Sequence, residues 1–139
     1  MALFYVDSSA LLKLVFVEPE SAELRAFVAG ADLVSCELAL AEVPRALRRA
    51  SARVPGLPLE LALERTGELL DAVALLPLDR ALLAAAGAID EPALRALDAI
   101  HVAAAADLSP IDAFVSYDER QSAAARLTGL RTVAPGARA

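Results

Sequence analysis

Apolar positions gather in five short runs: "LFYV" (3–6), "DLVS" (32–35), "ALLPL" (74–78), "AFVS" (113–116) and "LRTVA" (130–134). Runs of this length and composition predict strands. Between them the apolar residues recur with a period near 3.6, at Leu11, Leu12, Val15 and Phe16 and again at Leu38, Ala41 and Leu47, which predicts amphipathic helices. Strands and helices thus alternate, and the strands are nearly continuous in apolar character instead of alternating in and out. That combination predicts an α/β fold with a mostly parallel central sheet flanked by helices on both faces. Pro19 opens a helix through "ESAELRAFVAG" that Gly30 ends, "VPGLP" (54–58) divides a long helix from another starting near Leu59, and "IDEP" (89–92) and "LSPID" (108–112) mark loops. No repeat or linker interrupts the pattern, so one domain over 1–139 is expected, with a frayed "PGARA" end.

Composition adds a constraint. Hydrophobic residues make up 58% and mean hydropathy is +0.52, yet charges or Pro interrupt every segment before the roughly 18 apolar residues a membrane span needs. A soluble chain is expected. "MALFYVDSS" has neither a basic leading region nor a long apolar one, so no secretory signal is expected and the cytoplasm is the expected compartment. The apolar excess is mostly Ala and Leu, which predicts a helix-rich core with apolar surface left for a partner. The faces of "ELALERTGELLDAVALL" (60–76) and "LLKLVFV" (11–17) exceed what one small core needs. One is a candidate homodimer interface and another a candidate groove for a partner's helix.

One cysteine, Cys36, and one histidine, His101, exclude an internal disulfide and a Cys/His zinc site. Net charge is −6 with a pI near 4.7, which opposes broad attraction to nucleic acid unless the acids are concentrated in one place. Their positions suggest that they are. In an open parallel sheet ligands bind outside the carboxyl ends of the strands. Asp7 directly follows the first predicted strand, Asp118 follows the fourth in "FVSYDER", Glu42 is placed about two turns into the helix after the second, and Asp98 stands near the start of the helix leading to the fourth. Four acids are thereby expected at one end of one sheet. Clustered carboxylates raise one another's pKa unless cations neutralise them, and hard oxygen donors suit Mg²⁺ or Mn²⁺. Such ions serve phosphoryl chemistry. Each acid also has a plainer role: Asp7, Asp98 and Asp118 as helix caps, and Glu42 as a partner of Arg45 or Arg49.

At these residues the chain resembles the PIN-domain ribonucleases, and within them the VapC-type toxins of toxin–antitoxin pairs. "FYVDSSALLKLVFVEPES" is similar to the family's opening strand, acid, hydroxyl pair and first helix, "CELALAEVPRALRR" to its segment with a Glu before a basic helix, "LRALDAIHVAAA" to its most recognisable stretch, and "AFVSYDERQSAAARLTGLRTVAPG" to its ending. The four motifs stand in the family's order over nearly the whole chain. The resemblance implies a PIN-like three-layer fold, hydrolysis of RNA phosphodiester bonds by a metal-activated water, and an acidic pocket of Asp7, Glu42, Asp98 and Asp118 holding Mg²⁺ or Mn²⁺. Asp7 and Asp98 are its expected direct ligands, with Glu42 and Asp118 binding directly or through water. Ser8 or Ser9 and Ser116 fall where the family has supporting hydroxyls; Ser116 stands where Thr is common, a departure that keeps the hydroxyl. It also implies a VapB-like antitoxin that occludes the site, and a homodimer.

Three other features belong to the same expectation. His101, three residues after Asp98, reads as a structural, hydrogen-bonded histidine before a catalytic one. Arg45, Arg49 and Arg53 recur every four residues beside Arg48, either as an RNA-backbone track or as a solvated face laced with salt bridges. Lys13, the single lysine, either touches phosphate or snorkels. Two enzyme rivals are weak. A receiver-like domain needs a lysine after its last strand, and an Asp-nucleophile phosphotransferase wants an acid where Ser9 stands. The alternative from another class is a catalytically silent binding module whose acids only cap helices.

Overall fold

The computed structural model describes residues 1–138. Its elements follow in the order β1 (Leu3–Val6), α1 (Ser8–Val15), α2 (Ser21–Val28), β2 (Asp32–Cys36), α3 (Ala39–Arg53), α4 (Leu59–Ala72), β3 (Ala74–Leu76), α5 (Arg80–Gly87), α6 (Ala96–Leu108), β4 (Ala113–Val115), α7 (Glu119–Leu127) and β5 (Thr132–Val133). The five strands form one sheet in the order β3-β2-β1-β4-β5. Every pairing is parallel, with Tyr5 opposite Val34 on one side and Phe114 on the other.

Alternation along the strands divides the interior into two cores. Phe4 and Val6 of β1, with Ala113 and Val115 of β4, pack against Ala10 and Leu11 of α1, Leu24 of α2, Val43 of α3 and Leu70 of α4. Tyr5 and Phe114 point the other way, onto Leu82 and Ala86 of α5, the 99–105 stretch of α6, and Ala124 and Ala125 of α7. Their rings stack at 5.5 Å and 6°. The result is three layers, helix on sheet on helix, as the alternating pattern requires. α6 is nearly apolar all round, with every residue from Ala99 to Ala105 buried, because its "AIHVAAA" surface lies against the sheet and two neighbouring helices.

Three strands, β3, β4 and β5, end earlier than their apolar runs. β3 stops at Leu76 because Pro77 has no N–H to give a ladder, and the next amide, of Leu78, bonds Glu37 Oε1 at 3.0 Å instead. The chain reverses winding direction about β1, which has β2 on one side and β4 on the other. Such a switch point leaves a crevice beyond the carboxyl ends of the two central strands. Asp7 is the residue that leaves β1 there, and its N–H bonds the carbonyl of Val115 at the end of β4 at 3.1 Å. No helix among the described residues is long and apolar enough to cross a membrane.

Candidate active site

Asp7 is both the end of a strand and the N-cap of α1. Oδ1 accepts from the Ala10 amide at 3.0 Å and from the Ser9 hydroxyl at 2.7 Å, and Oδ2 accepts from the Ser116 hydroxyl at 2.7 Å. The carboxyl is buried, and burial raises its pKa against the opposing effects of nearby His101 and these three donors. Two oxygens offer about four acceptor positions, so three donors leave about one for a further ligand.

The other three acids lie at the rim. Glu42 stands in the first turn of α3, not two turns in, because the chain leaves β2 through a turn and the helix begins only at Ala39. Asp98 is in the first turn of α6, and Asp118 is the N-cap of α7, accepting from the Gln121 amide at 3.0 Å. Glu42, Asp98 and Asp118 line one cavity of about 680 Å³ together with Arg95, Leu97 and Arg120. Burial raises the pKa of Asp98, and the charges of Asp118 and Glu42 raise it further, so Asp98 senses both of its neighbours at the rim. Among the described residues the Asp98 carboxylate accepts no hydrogen bond, and no group of three or more acidic, His or Cys side chains is drawn together into an ion-holding cluster. The quartet therefore gathers at one rim in two tiers, a buried Asp7 and three rim acids, without closing.

A hydrogen-bond lattice joins the tiers. Ser116 Oγ, besides meeting Asp7, accepts from the Asp118 amide at 3.1 Å and lies 3.0 Å from Gln121 Oε1. Gln121 is buried and donates through Nε2 to the Asp98 carbonyl at 3.3 Å, so one side chain touches the supports of three acids. Ser8 donates to Glu42 Oε1 at 2.7 Å, and Ser9 accepts from the Tyr117 amide at 3.1 Å. All three expected hydroxyls thus meet the acids, with Ser8 and Ser9 serving different ones.

His101 is buried on α6 and puts Nε2 at 2.7 Å from Glu42 Oε1 and Nδ1 at 2.8 Å from the Tyr5 hydroxyl. Burial depresses its pKa, but contacts with Cys36 and Glu42 outweigh this and push it up to about 10. For Glu42, burial acts upward and is overcome by the hydrogen bonds from His101 and Ser8, so its pKa is lowered. Tyr5 and Gln121 escaped the sequence reading. Nothing in a strand Tyr or an exposed-looking helical Gln marks it as a support, since only the crossing of β1, α6 and α7 brings them to the acids.

The basic residues separate into two groups. Arg45 and Arg49 are exposed on α3 and line a smaller cavity of about 290 Å³ that shares Glu42 and Leu97 with the first. Among the described residues neither enters an ion pair, which disfavours a salt-bridged face. Lys13, for which the sequence leaves phosphate contact and snorkelling both open, is buried. Its ammonium is held by Glu18 at 2.8 Å and Glu20 at 3.4 Å, 4.7 Å from the centre of the Tyr117 ring. Paired on one side and stacked on the other, it ties α1 to the loop before α2, away from the cavity that the rim acids line.

The sequence profile of the PIN domain matches residues 4–127. Ribonuclease VapC47 of Mycobacterium tuberculosis (strain CDC 1551 / Oshkosh) is 38% identical over 141 residues, covering 97% of this chain and 98% of the relative. Two crystal structures share the fold at 20% identity. VapC20 of Mycobacterium tuberculosis, a Sarcin-Ricin loop cleaving toxin, has a TM-score of 0.72 over 95% of this chain and 99% of its own. PAE2754 from Pyrobaculum aerophilum has a TM-score of 0.63 over 95% and 84%. With the profile spanning most of the chain and a full-length relative at this identity, the chain belongs to the PIN-domain family, on its VapC branch.

Proposed function

We propose that this protein is a metal-dependent endoribonuclease, the toxin of a VapBC-type pair. The carrying observation is one cavity at the sheet's switch point lined by three carboxylates, two of whose charges raise the pKa of the third, Asp98, with a fourth acid buried beneath hydroxyl donors, in a chain of the VapC branch. Asp98 and Asp118, which enter no ion pair among the described residues, together with Glu42 at the same rim suit a hard divalent cation.

The donor set fits Mg²⁺ or Mn²⁺. The candidate ligands are Asp7 through its remaining acceptor position, Asp98 with both oxygens free of hydrogen bonds, and Glu42 and Asp118 through the oxygens that Ser8, His101 and Gln121 leave open. When bound, the ion supplies charge neutralisation for a phosphodiester and activation of the attacking water. The chain supplies the rest. Ser9 and Ser116 keep Asp7 aimed, Ser8 and His101 fix Glu42, and the helix N-terminus of α7 orients Asp118. Arg95 and Arg120 on one side of Glu42, and Arg45 and Arg49 on the other, are placed to take the flanking phosphates of an RNA strand.

A VapB-like antitoxin and a second copy of the chain complete the proposal. Support for protein partners comes from exposed Val17, Val54 and Leu61 around an apolar groove between the end of α1 and the α3–α4 junction. The decisive experiment is cleavage of RNA by the purified protein in Mg²⁺ or Mn²⁺, with mapped ends. Loss of cleavage in EDTA and in Asp7→Asn is expected. Full cleavage under either condition rejects the assigned centre, and no cleavage by the wild-type chain favours the silent binding module.

A further inference from the structure

Glu42 is gripped by one oxygen. Oε1 receives the Ser8 hydroxyl and lies 2.7 Å from His101 Nε2, while among the described residues no hydrogen bond reaches Oε2. The histidine is gripped in turn, with the Tyr5 hydroxyl 2.8 Å from Nδ1 and Cys36 Sγ at 3.8 Å. We infer that His101, oriented by Tyr5, is a positioning residue that fixes Glu42 by Oε1 and leaves Oε2 for the cavity's ligand. This inference rests on the metal-dependent function proposed above.

Three observations carry it. Both ring nitrogens are partnered, as burial requires, but the outer partner is not a backbone group or a core side chain: it is a carboxylate lining the cavity. The direction of the Nε2 contact is set by its partner, and Tyr5 holds the ring from behind. A carboxylate oxygen only accepts, so the hydrogen lies on Nε2; a neutral ring then accepts the Tyr5 O–H at Nδ1, a cationic ring donates from both nitrogens, and an N–H faces Glu42 in either form. Tyr5 is itself immobile, stacked on Phe114 and fully buried in the sheet. Finally, His101 and Asp98 share one side of α6, three residues apart, so the link from His101 to α3 fixes the separation of Glu42 and Asp98 across the mouth of the cavity.

The test compares Mn²⁺ affinity, read from electron paramagnetic resonance of the free ion, in wild type, Tyr5→Phe, His101→Gln and His101→Leu, with the melting temperature of each. Tyr5→Phe keeps the stacked ring and removes one hydroxyl, so it keeps the test open even if His101→Leu loses the fold. Loss of a group that orients a ligand weakens metal binding by about tenfold or more. That loss is expected in Tyr5→Phe and His101→Leu, with recovery in His101→Gln, whose amide N–H reaches Glu42 from near the Nε2 position. A folded Tyr5→Phe that binds Mn²⁺ like wild type overturns the inference while the metal reading stands. Equal weakening in His101→Gln and His101→Leu, in step with their melting temperatures, also overturns it. If wild type binds no Mn²⁺, the metal reading and this inference fall together.

Discussion

The Ser116 hydroxyl donates to Oδ2 of Asp7 across 2.7 Å, joining residues 109 positions apart at the ends of the two central strands. The same oxygen accepts the Asp118 amide, so one small side chain ties the buried acid to the helix that carries a rim acid. Removing it strips Oδ2 of its donor in a place where burial already opposes the charge. Ser116→Ala is therefore expected to cost about 1–3 kcal/mol in urea unfolding and to lower RNA cleavage. Ser116→Thr, which keeps the hydroxyl, should restore most of both. Equal loss in the two variants would show that the space, and not the hydrogen bond, matters.

Asp98 is expected to behave as a site that costs stability. Burial first, and then the charges of Asp118 and Glu42, raise its pKa above the ordinary 3.8. A raised folded-state pKa contributes stability that is complete below the unfolded value and is lost as pH rises through the folded one, so at neutral pH the ionised carboxylate is a liability. Metal-free Asp98→Asn should then melt at or slightly above wild type at neutral pH, by at most about 4 °C if the relief is about 1 kcal/mol. That advantage should fade as the pH falls through the raised pKa. Mn²⁺ at a hundredfold excess over its dissociation constant stabilises a specific binder by about 2.7 kcal/mol, and the variant should forgo this gain and all cleavage. A variant less stable than wild type at every pH, with an undiminished response to Mn²⁺, would remove Asp98 from the site.

Much of this was legible because the decisive signals are local. Asp7, Ser9 and Ala10 form a cap within four residues, and Asp118 and Gln121 another, so the spacing in the chain nearly dictates the contacts. The five strands and their parallel pairing followed from apolar runs that both faces of a covered sheet demand. α5 did not stand out, since the Ala-rich 80–87 stretch has too weak a contrast between faces to announce a helix. The partners of His101 were invisible for a different reason. Tyr5 and Glu42 lie 96 and 59 positions away, and only the fold, which lays α6 on the sheet face that carries Tyr5 and brings the first turn of α3 to the rim, joins them to the two ring nitrogens. The role of Lys13 stays open in the sequence because a lone cation near an acidic site fits either phosphate or a local partner, and only the fold shows Glu18 and Glu20, a few residues on, turning back to pair with it.

The arginines and the lysine make opposite predictions that one titration separates. Each phosphate contact to a single strand steepens the fall of log K with log salt by about 0.7. Arg45 and Arg49 are exposed, enter no ion pair among the described residues, and line a cavity that continues from the acidic one through Glu42 and Leu97. Arg45→Ala and Arg49→Ala should each flatten the salt dependence of binding to a single-stranded RNA by about 0.7, with melting temperature nearly unchanged, since solvated surface side chains contribute within about 0.5 kcal/mol. Lys13→Met should do the reverse. It leaves Glu18 and Glu20 without their shared cation and Tyr117 without the charge over its ring, so stability falls, while the salt slope stays that of wild type. A slope unchanged in both arginine variants would place the RNA path elsewhere. A slope flattened in Lys13→Met would mean that the lysine leaves its carboxylates to meet phosphate when RNA binds.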